Sequence, residues 1–379
     1  MKKKTIILIL GILVILAVAI AVSCKPPAEE EAAEVVEEAV EEATVEEAVE
    51  EEAEEVAAEE EAVEMEVPEN AVVSVKVDTA PAIDGEIDDV WAQATAIDIP
   101  VSDGANTDSA TMTLKSIYTD DEVFFLAEWD NPEDSKQRMP WQKQDDGLWA
   151  KLTSSDDHDE NVYYEDKLAM IWNINDSIEG FNDKGCTITC HAGDADKAYG
   201  NKYTKNEGEL GDIWHWKRVR TDPVGQVDDQ YLDSARYSLE NTGAGRHGDP
   251  KDGGGYTNNQ TEDSTGPAFT SDNQPANQSG EYWIMDSDKQ EFADTYEAGD
   301  EVAGIIISPF LGDRGDIMGK GEYADGKWTL EIGRKLDTGS EFDVQFTDFT
   351  KSYFFGTALF DNAQVRHAYS DGVYQLIFK

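Results

Sequence analysis

From Ala71 to the C-terminus the apolar residues come in short runs that alternate with polar ones and are broken by Asp, Gly and Asn. A period of two limits such a chain to strands with one face turned inward, and repeated turn signals favour a sandwich or barrel over a parallel α/β fold. Val72–Val77 reads as a first strand. Ser116–Tyr118, Asp120-Asp121 and Val123–Trp129 read as a hairpin. Lys167–Ile174 places Leu168, Met170 and Trp172 on one face, and Lys327–Ile332, Glu341–Phe346 and Gly372–Phe378 supply further strands. No long helical pattern interrupts them. The expected fold is therefore all-β, a β-sandwich of mostly antiparallel strands with long loop insertions. The stretch 241–278, rich in Gly, Asn, Asp, Thr and Ser, reads as a functional loop or a mobile surface flap that would leave His247 solvated.

The N-terminal third of the charge tells a different story. Lys2, Lys3 and Lys4 precede an apolar run from Thr5 to Val22, as in a secretory signal, and Ala21-Val22-Ser23-Cys24 resembles a bacterial lipobox with Cys24 as the lipidated residue. The alternative is an uncleaved membrane anchor, since eighteen apolar residues suffice to cross a bilayer. Either way the remainder is expected outside the cytoplasm, periplasmic or at the cell surface and tethered to the membrane. Residues 24–69 are built almost wholly of Glu, Ala and Val, and their repeated like charges suit an extended or transiently helical stalk. This divides the chain into a signal peptide (1–23), an acidic stalk (24–69) and one large domain (70–379). With 81 acidic against 30 basic residues the net charge is −51, and −35 of it lies in 68–379. Nucleic acid is excluded as a partner, because phosphate-backbone affinity needs Lys and Arg to displace counterions.

Chemistry-bearing motifs are few. Cys186, Cys190 and His191 stand together in Gly185-Cys186-Thr187-Ile188-Thr189-Cys190-His191. Two thiols followed by His suit covalent haem attachment, with thioethers from the cysteines and His191 as an axial ligand, although three residues rather than two separate the thiols. The same spacing suits a disulfide in an oxidising compartment, or a metal site. No nucleophile elbow, His-Glu-x-x-His zinc motif, phosphate-cradling loop or dinucleotide fingerprint occurs, so the chain is not expected to be an enzyme by itself.

Five local patterns appear in order: Ile83-Asp84-Gly85-Glu86-Ile87-Asp88-Asp89-Val90-Trp91; Tyr164-Glu165-Asp166-Lys167-Leu168-Ala169-Met170; Asp212-Ile213-Trp214-His215-Trp216-Lys217; Trp328–Leu336; and Phe360-Asp361-Asn362 with His367. Together they resemble the haem-binding domain typified by the γ subunit of ethylbenzene dehydrogenase, over roughly Ala71–Lys379. The resemblance implies a sandwich that clasps one b-type haem and exchanges electrons with a molybdenum oxidoreductase of the dimethyl-sulfoxide-reductase kind. It also implies iron ligation by Met170 and by His367, which stands where that family has a late Lys.

A Met/His pair would fill both axial positions, which favours electron transfer over catalysis, and the thioether would raise the reduction potential. Trp214, Trp216 and Lys217 are candidates for lining the haem pocket or meeting a propionate. If the cysteine cluster also binds haem, either one haem is held by His191 with Met170 or His367, or a second exists between His191 and His215. The rival expectation is a surface carbohydrate-binding module with Trp141 and Trp149 as exposed stacking platforms. A structural lipoprotein with neither ligand is the third.

Overall fold

The computed structural model describes residues 67–155, 158–189, 201–272 and 274–379. The expected signal peptide, Cys24 and nearly all of the expected stalk lie outside the described residues, as do Cys190 and His191. No helix among the described residues is long and apolar enough to cross a membrane.

Thirteen strands form one hydrogen-bonded sheet: β1 (Ala71–Lys76), β2 (Ile97–Ser102), β3 (Ser109–Tyr118), β4 (Glu122–Asp130), β5 (Lys167–Asn173), β6 (Gly211–Lys217), β7 (Asp228–Leu232), β8 (Arg246–Gly248), β9 (Met318–Ala324), β10 (Lys327–Lys335), β11 (Tyr353–Phe360), β12 (Ala368–Ser370) and β13 (Tyr374–Phe378). Their spatial order is β8-β7-β6-β5-β11-β12-β2-β3-β4-β10-β9, with β13 on β11 and β1 bridging β13 and β3. All these pairings are antiparallel except the two made by β1. The β3–β4 turn closes where expected, with the Thr119 backbone N–H donating to Glu122 O at 2.8 Å.

The sheet folds over on itself and so makes both layers of a sandwich. Between the layers, Met112, Leu114, Phe125, Ala127, Trp129, Trp328 and Leu330 pack against Leu168, Met170, Trp172, Trp214, Trp216 and Phe355. Phe125 sits with its ring centre 5.7 Å from Trp172 and 5.6 Å from Trp214, and Trp129 lies 6.2 Å from Trp216. Burying so many large aromatic rings supplies the main driving force for this fold. On the outer face of β3 and β4, Trp91 is fully buried and its Nε1 donates to Glu331 Oε1 at 2.8 Å. The backbone N–H groups of Asp84 and Gly85 donate to Glu331 Oε2, so the Asp-Gly-x-x-Asp-Asp-x-Trp pattern is a plug over this face.

Two expectations are corrected here. Glu341–Phe346 is not a strand: the Val344 N–H donates to Asp212 Oδ2 at 3.0 Å and the Val344 carbonyl accepts from Arg334, which removes both groups from any ladder. The 241–278 stretch is not structureless, since it contains β8 and the strand Gly253–Asn258, which pairs with Ile305–Leu311. His247 lies in β8, half-buried, stacked on Tyr231 at 5.0 Å.

Candidate functional site

The outer face of β5, β6 and β11 floors a cavity of about 870 Å³, within the roughly 300–1,000 Å³ usual for small-molecule and cofactor sites. Strand alternation decides which side chains reach it. Lys167, Ala169 and Ile171 of β5, Ile213, His215 and Lys217 of β6, and Gly356, Ala358 and Phe360 of β11 border the cavity, joined by Met170 and Thr357 from the alternate positions, while Leu168, Trp172, Trp214, Trp216, Phe355 and Leu359 fill the sandwich core. The far walls come from separate segments carrying Arg138, Tyr164, Cys186, Arg246, Tyr256 and His367.

His215 is the centre of this site. It is buried, and its ring stacks on Phe360 with centres 5.3 Å apart. Its Nδ1 lies 3.3 Å from Gln230 Oε1. Gln230 Nε2 donates to Asp228 Oδ2 at 3.1 Å, which turns the amide oxygen toward the imidazole. Nδ1 is therefore the protonated nitrogen, and Nε2 keeps a bare lone pair. That Nε2 is buried and meets no hydrogen-bond partner. Burial first, then the cations Lys217, Lys167, Arg246 and Arg220, hold the His215 pKa far below its ordinary value, so the ring is neutral. A neutral imidazole whose second nitrogen is anchored by an outer amide is the arrangement used by metal-ligating histidines.

The surrounding charge is unusual for this chain. Seven Lys or Arg residues border the cavity against one acid, Asp103, although acids outnumber bases 81 to 30 overall. Lys217 pairs with Asp228 and lies 3.3 Å from Tyr256 Oη; burial lowers its pKa to about 7 against the pull of that carboxylate. Burial works to raise the Asp228 pKa, but Lys217 and Arg314 override it and keep Asp228 ionised. Arg220 is held by Glu165, whose Oε2 also accepts the Val219 N–H at 2.8 Å. Lys167 Nζ donates to Gln364 O at 3.0 Å and sits 3.8 Å above the Phe360 ring. Arg138 and Arg246 form no ion pair among the described residues, and Arg138 Nε is buried without a partner. The cavity thus offers an apolar floor, one bare imidazole nitrogen and a ring of cations, a combination suited to a flat apolar ligand with acidic substituents and a metal centre.

The expected site residues divide. His367 borders the cavity, its Nδ1 3.0 Å from Val365 O and its ring 4.5 Å from Phe360. Lys217 borders it too. Cys186 is buried at its apolar end, beside Ile171 and Ile213, and packs so closely on β11 that a Cβ at Gly356 would lie 3.1 Å from its sulfur.

Met170 belongs to the wall strand, but its side chain is 1 % exposed and packed in the core with Leu168 and Trp172. The expected grouping of these three on one face holds, and Met170 and His367 both border the cavity, Met170 from a side chain packed among the core residues. Trp214 and Trp216 lie in the core and do not border the cavity, and Trp214 Nε1 donates to Asp212 at 3.0 Å. Trp141 is buried, its Nε1 donating to Asn259 O, and Trp149 is half-buried against Phe292 and Tyr296, so they do not form an exposed stacking platform. His215 entered the sequence reading only as a ligand for a second haem.

A family model described as Ethylbenzene dehydrogenase matches residues 88–372. No curated protein matches the chain. Solved structures similar to it include a carbohydrate binding module family 9 from Caldicellulosiruptor kristjanssonii in complex with glucose, at 10% identity, covering 82% of this chain and 95% of that one, with a TM-score of 0.31. A putative carbohydrate-binding protein from Bacteroides uniformis is similar at 9% identity, covering 82% of this chain and 99% of that one, also with a TM-score of 0.31.

Proposed function

Since the chain belongs to the ethylbenzene dehydrogenase family, we propose that it is an exported haem protein that relays electrons to or from a molybdenum oxidoreductase, and is not itself an enzyme. The observation that carries this reading is the bare, buried Nε2 of neutral His215 facing an apolar cavity ringed by cations. Haem is the cofactor whose parts fit those features. His215 holds the iron, with His367 as the second ligand from the same cavity. Ala169, Ile171, Ile213 and Ala358 meet the porphyrin, and Arg138 and Arg246 meet its propionates. Iron bound there supplies a one-electron couple at fixed geometry. The protein's part is to keep His215 neutral and oriented through Gln230, to exclude water with the β5–β6–β11 floor, and to balance the propionate charge.

A b-type haem is the leading form. Cys186 borders the same cavity, which favours thioether attachment as the second form. Export with a lipid anchor at Cys24 places the relay on the membrane, where its redox partner would meet it.

Reconstitution of the purified chain with haem tests the reading. The expected result is one haem per chain with a six-coordinate low-spin spectrum; His215→Ala loses that spectrum, and His367→Ala converts it to five-coordinate. Retention of haem through acid–acetone extraction and a c-type pyridine haemochrome would select thioether attachment. A colourless chain after reconstitution would overturn the reading.

A further inference from the structure

Behind the cavity, at the end of the sandwich core, five carboxylates meet. Asp212 comes from β6, Asp229 from β7, Asp249 from just after β8, Asp316 from just before β9, and Asp343 from the loop after β10. Asp229 sits opposite Trp214 in the β6–β7 register and so faces the core, away from His215, which sits opposite Asp228. Carboxylate oxygens of Asp229, Asp316 and Asp343 lie within 4.8 Å of one another.

Such a cluster needs a counter-charge, and the protein provides little. Arg334 is fully buried beside it, 3.0 Å from Asp212 Oδ2 and 4.0 Å from Asp343 Oδ2. Arg314, the next cation, is committed to Asp228 at 2.6 Å. One guanidinium does not balance four buried carboxylates and a half-buried fifth, and packing that many like charges without a cation is costly.

A second observation points to what is bound. Asp249 is 3% exposed, and neither of its carboxylate oxygens meets a hydrogen-bond donor from outside the cluster; its neighbour there is the Asp343 carboxyl group. With Asp212 Oδ1, Asp229 Oδ2, Asp316 Oδ1 and Asp343 Oδ1, six oxygens of this cluster are buried without a partner. The other oxygens are used conventionally: Asp212 Oδ2 accepts from Trp214 and Val344, and Asp343 Oδ2 from Thr338. Asp212, Asp229 and Asp343 thus each turn one oxygen outward to a support, and Asp249 turns none.

We infer that this cluster is a structural Ca²⁺ site formed by Asp229, Asp249, Asp316 and Asp343, with Asp212 at its edge. The donors are all oxygen, which selects a hard cation, and an all-protein carboxylate cage suits the six to eight ligands of Ca²⁺ better than the hydrated octahedron of Mg²⁺. The cation would tie β6 and β7 to the segments before β9 and after β10, bracing the strands that carry His215 and Gln230. The site stands independently of the haem reading.

Calcium content and thermal unfolding of the full chain test it. After EGTA treatment and transfer to metal-stripped buffer, titration with CaCl₂ should show one tight site per chain and raise Tm by several degrees, with MgCl₂ at equal concentration doing less. Asp229→Asn and Asp249→Asn should each weaken that site at least tenfold. The Glu-rich 25–67 segment could take up Ca²⁺ diffusely; uptake left unchanged by both variants would assign it there and overturn the inference. A wild-type chain that takes up no Ca²⁺ at 1 mM and melts identically in EGTA would overturn it too. So would an Asp249→Asn chain that in EGTA is more stable than the wild type is in saturating CaCl₂, which would mark the cluster as sharing protons. Should the variants fail to fold, the wild-type stoichiometry decides.

Discussion

Gln230 touches no part of the cavity that a ligand needs, yet it sets which nitrogen of His215 is bare. Its amide is locked by donation to Asp228 and presents Oε1 to Nδ1. Removing the outer partner of a metal-ligating histidine costs roughly 10–100-fold in metal affinity. Gln230→Leu should therefore weaken haem binding at least about tenfold, measured by Soret titration, while the fold melts cooperatively. Met170→Leu is the complementary test. A volume-conserving change at a core position should cost less than about 1.5 kcal/mol and leave the visible spectrum unaltered, whereas loss of a low-spin band would restore Met170 as a ligand. The difference between the two residues was not legible in the sequence. Every residue of β6 is buried and all but one of β5, so the polar–apolar alternation that normally marks the inner face is absent. With both faces buried, a strand Met and a strand His look equally placed, and only the sheet's partners show that the His215 ring faces the cavity while the Met170 side chain packs in the core. His367 lies outside the strands, so alternation does not decide its side, and it borders the cavity.

At the scale of elements, the segment leading into β5 is organised by one carboxylate. Glu160 Oε1 accepts from the N–H groups of Val162 and Tyr163 at 2.8 and 2.9 Å, and Oε2 accepts from Thr153 Oγ1 at 2.8 Å and from the Ser154 N–H. Burial opposes ionisation, but these donors win and bring the Glu160 pKa down to about 2 from 4.5. A folded value below the unfolded one gives stability that is fully present above the unfolded pKa and disappears as pH falls through the folded one. The shift corresponds to about 3 kcal/mol. Glu160→Gln should be destabilised by about that much in urea at pH 7, and the gap from wild type should close between pH 4.5 and pH 2. Elements whose partners are sequence neighbours, such as the β3–β4 hairpin and the β10 strand, were legible from alternation and turn residues. Glu341–Phe346 was not: it alternates as a strand does, but its backbone is claimed by Asp212 and Arg334 from distant elements. The 241–278 stretch misled for the opposite reason, since Gly253–Asn258 draws its order from the backbone ladder with Ile305–Leu311, which leaves no mark on composition.

At the scale of the whole molecule, charge works at two ranges. The net −51 acts over the entire surface, whereas the seven Lys and Arg residues act around one cavity. Ionic strength separates the two, because the Debye length falls from about 30 Å at 0.01 M to about 8 Å at 0.15 M. In dilute buffer a small redox partner approaching the haem-loaded chain feels the summed negative field; near physiological salt it feels mainly the charges at the cavity. Ferricyanide, an anion, should thus oxidise the reduced protein slowly at low ionic strength and faster as salt is added. A cationic cobalt hexammine should show the reverse slope. Stopped-flow rates at the Soret band measure both. If both oxidants slow equally with salt, or neither responds, the electron leaves from a part of the surface that the global field does not govern. The partner's docking face would then have to be sought among the cavity's own cations, where an acidic patch fits, rather than in the acidic exterior, which selects a basic one.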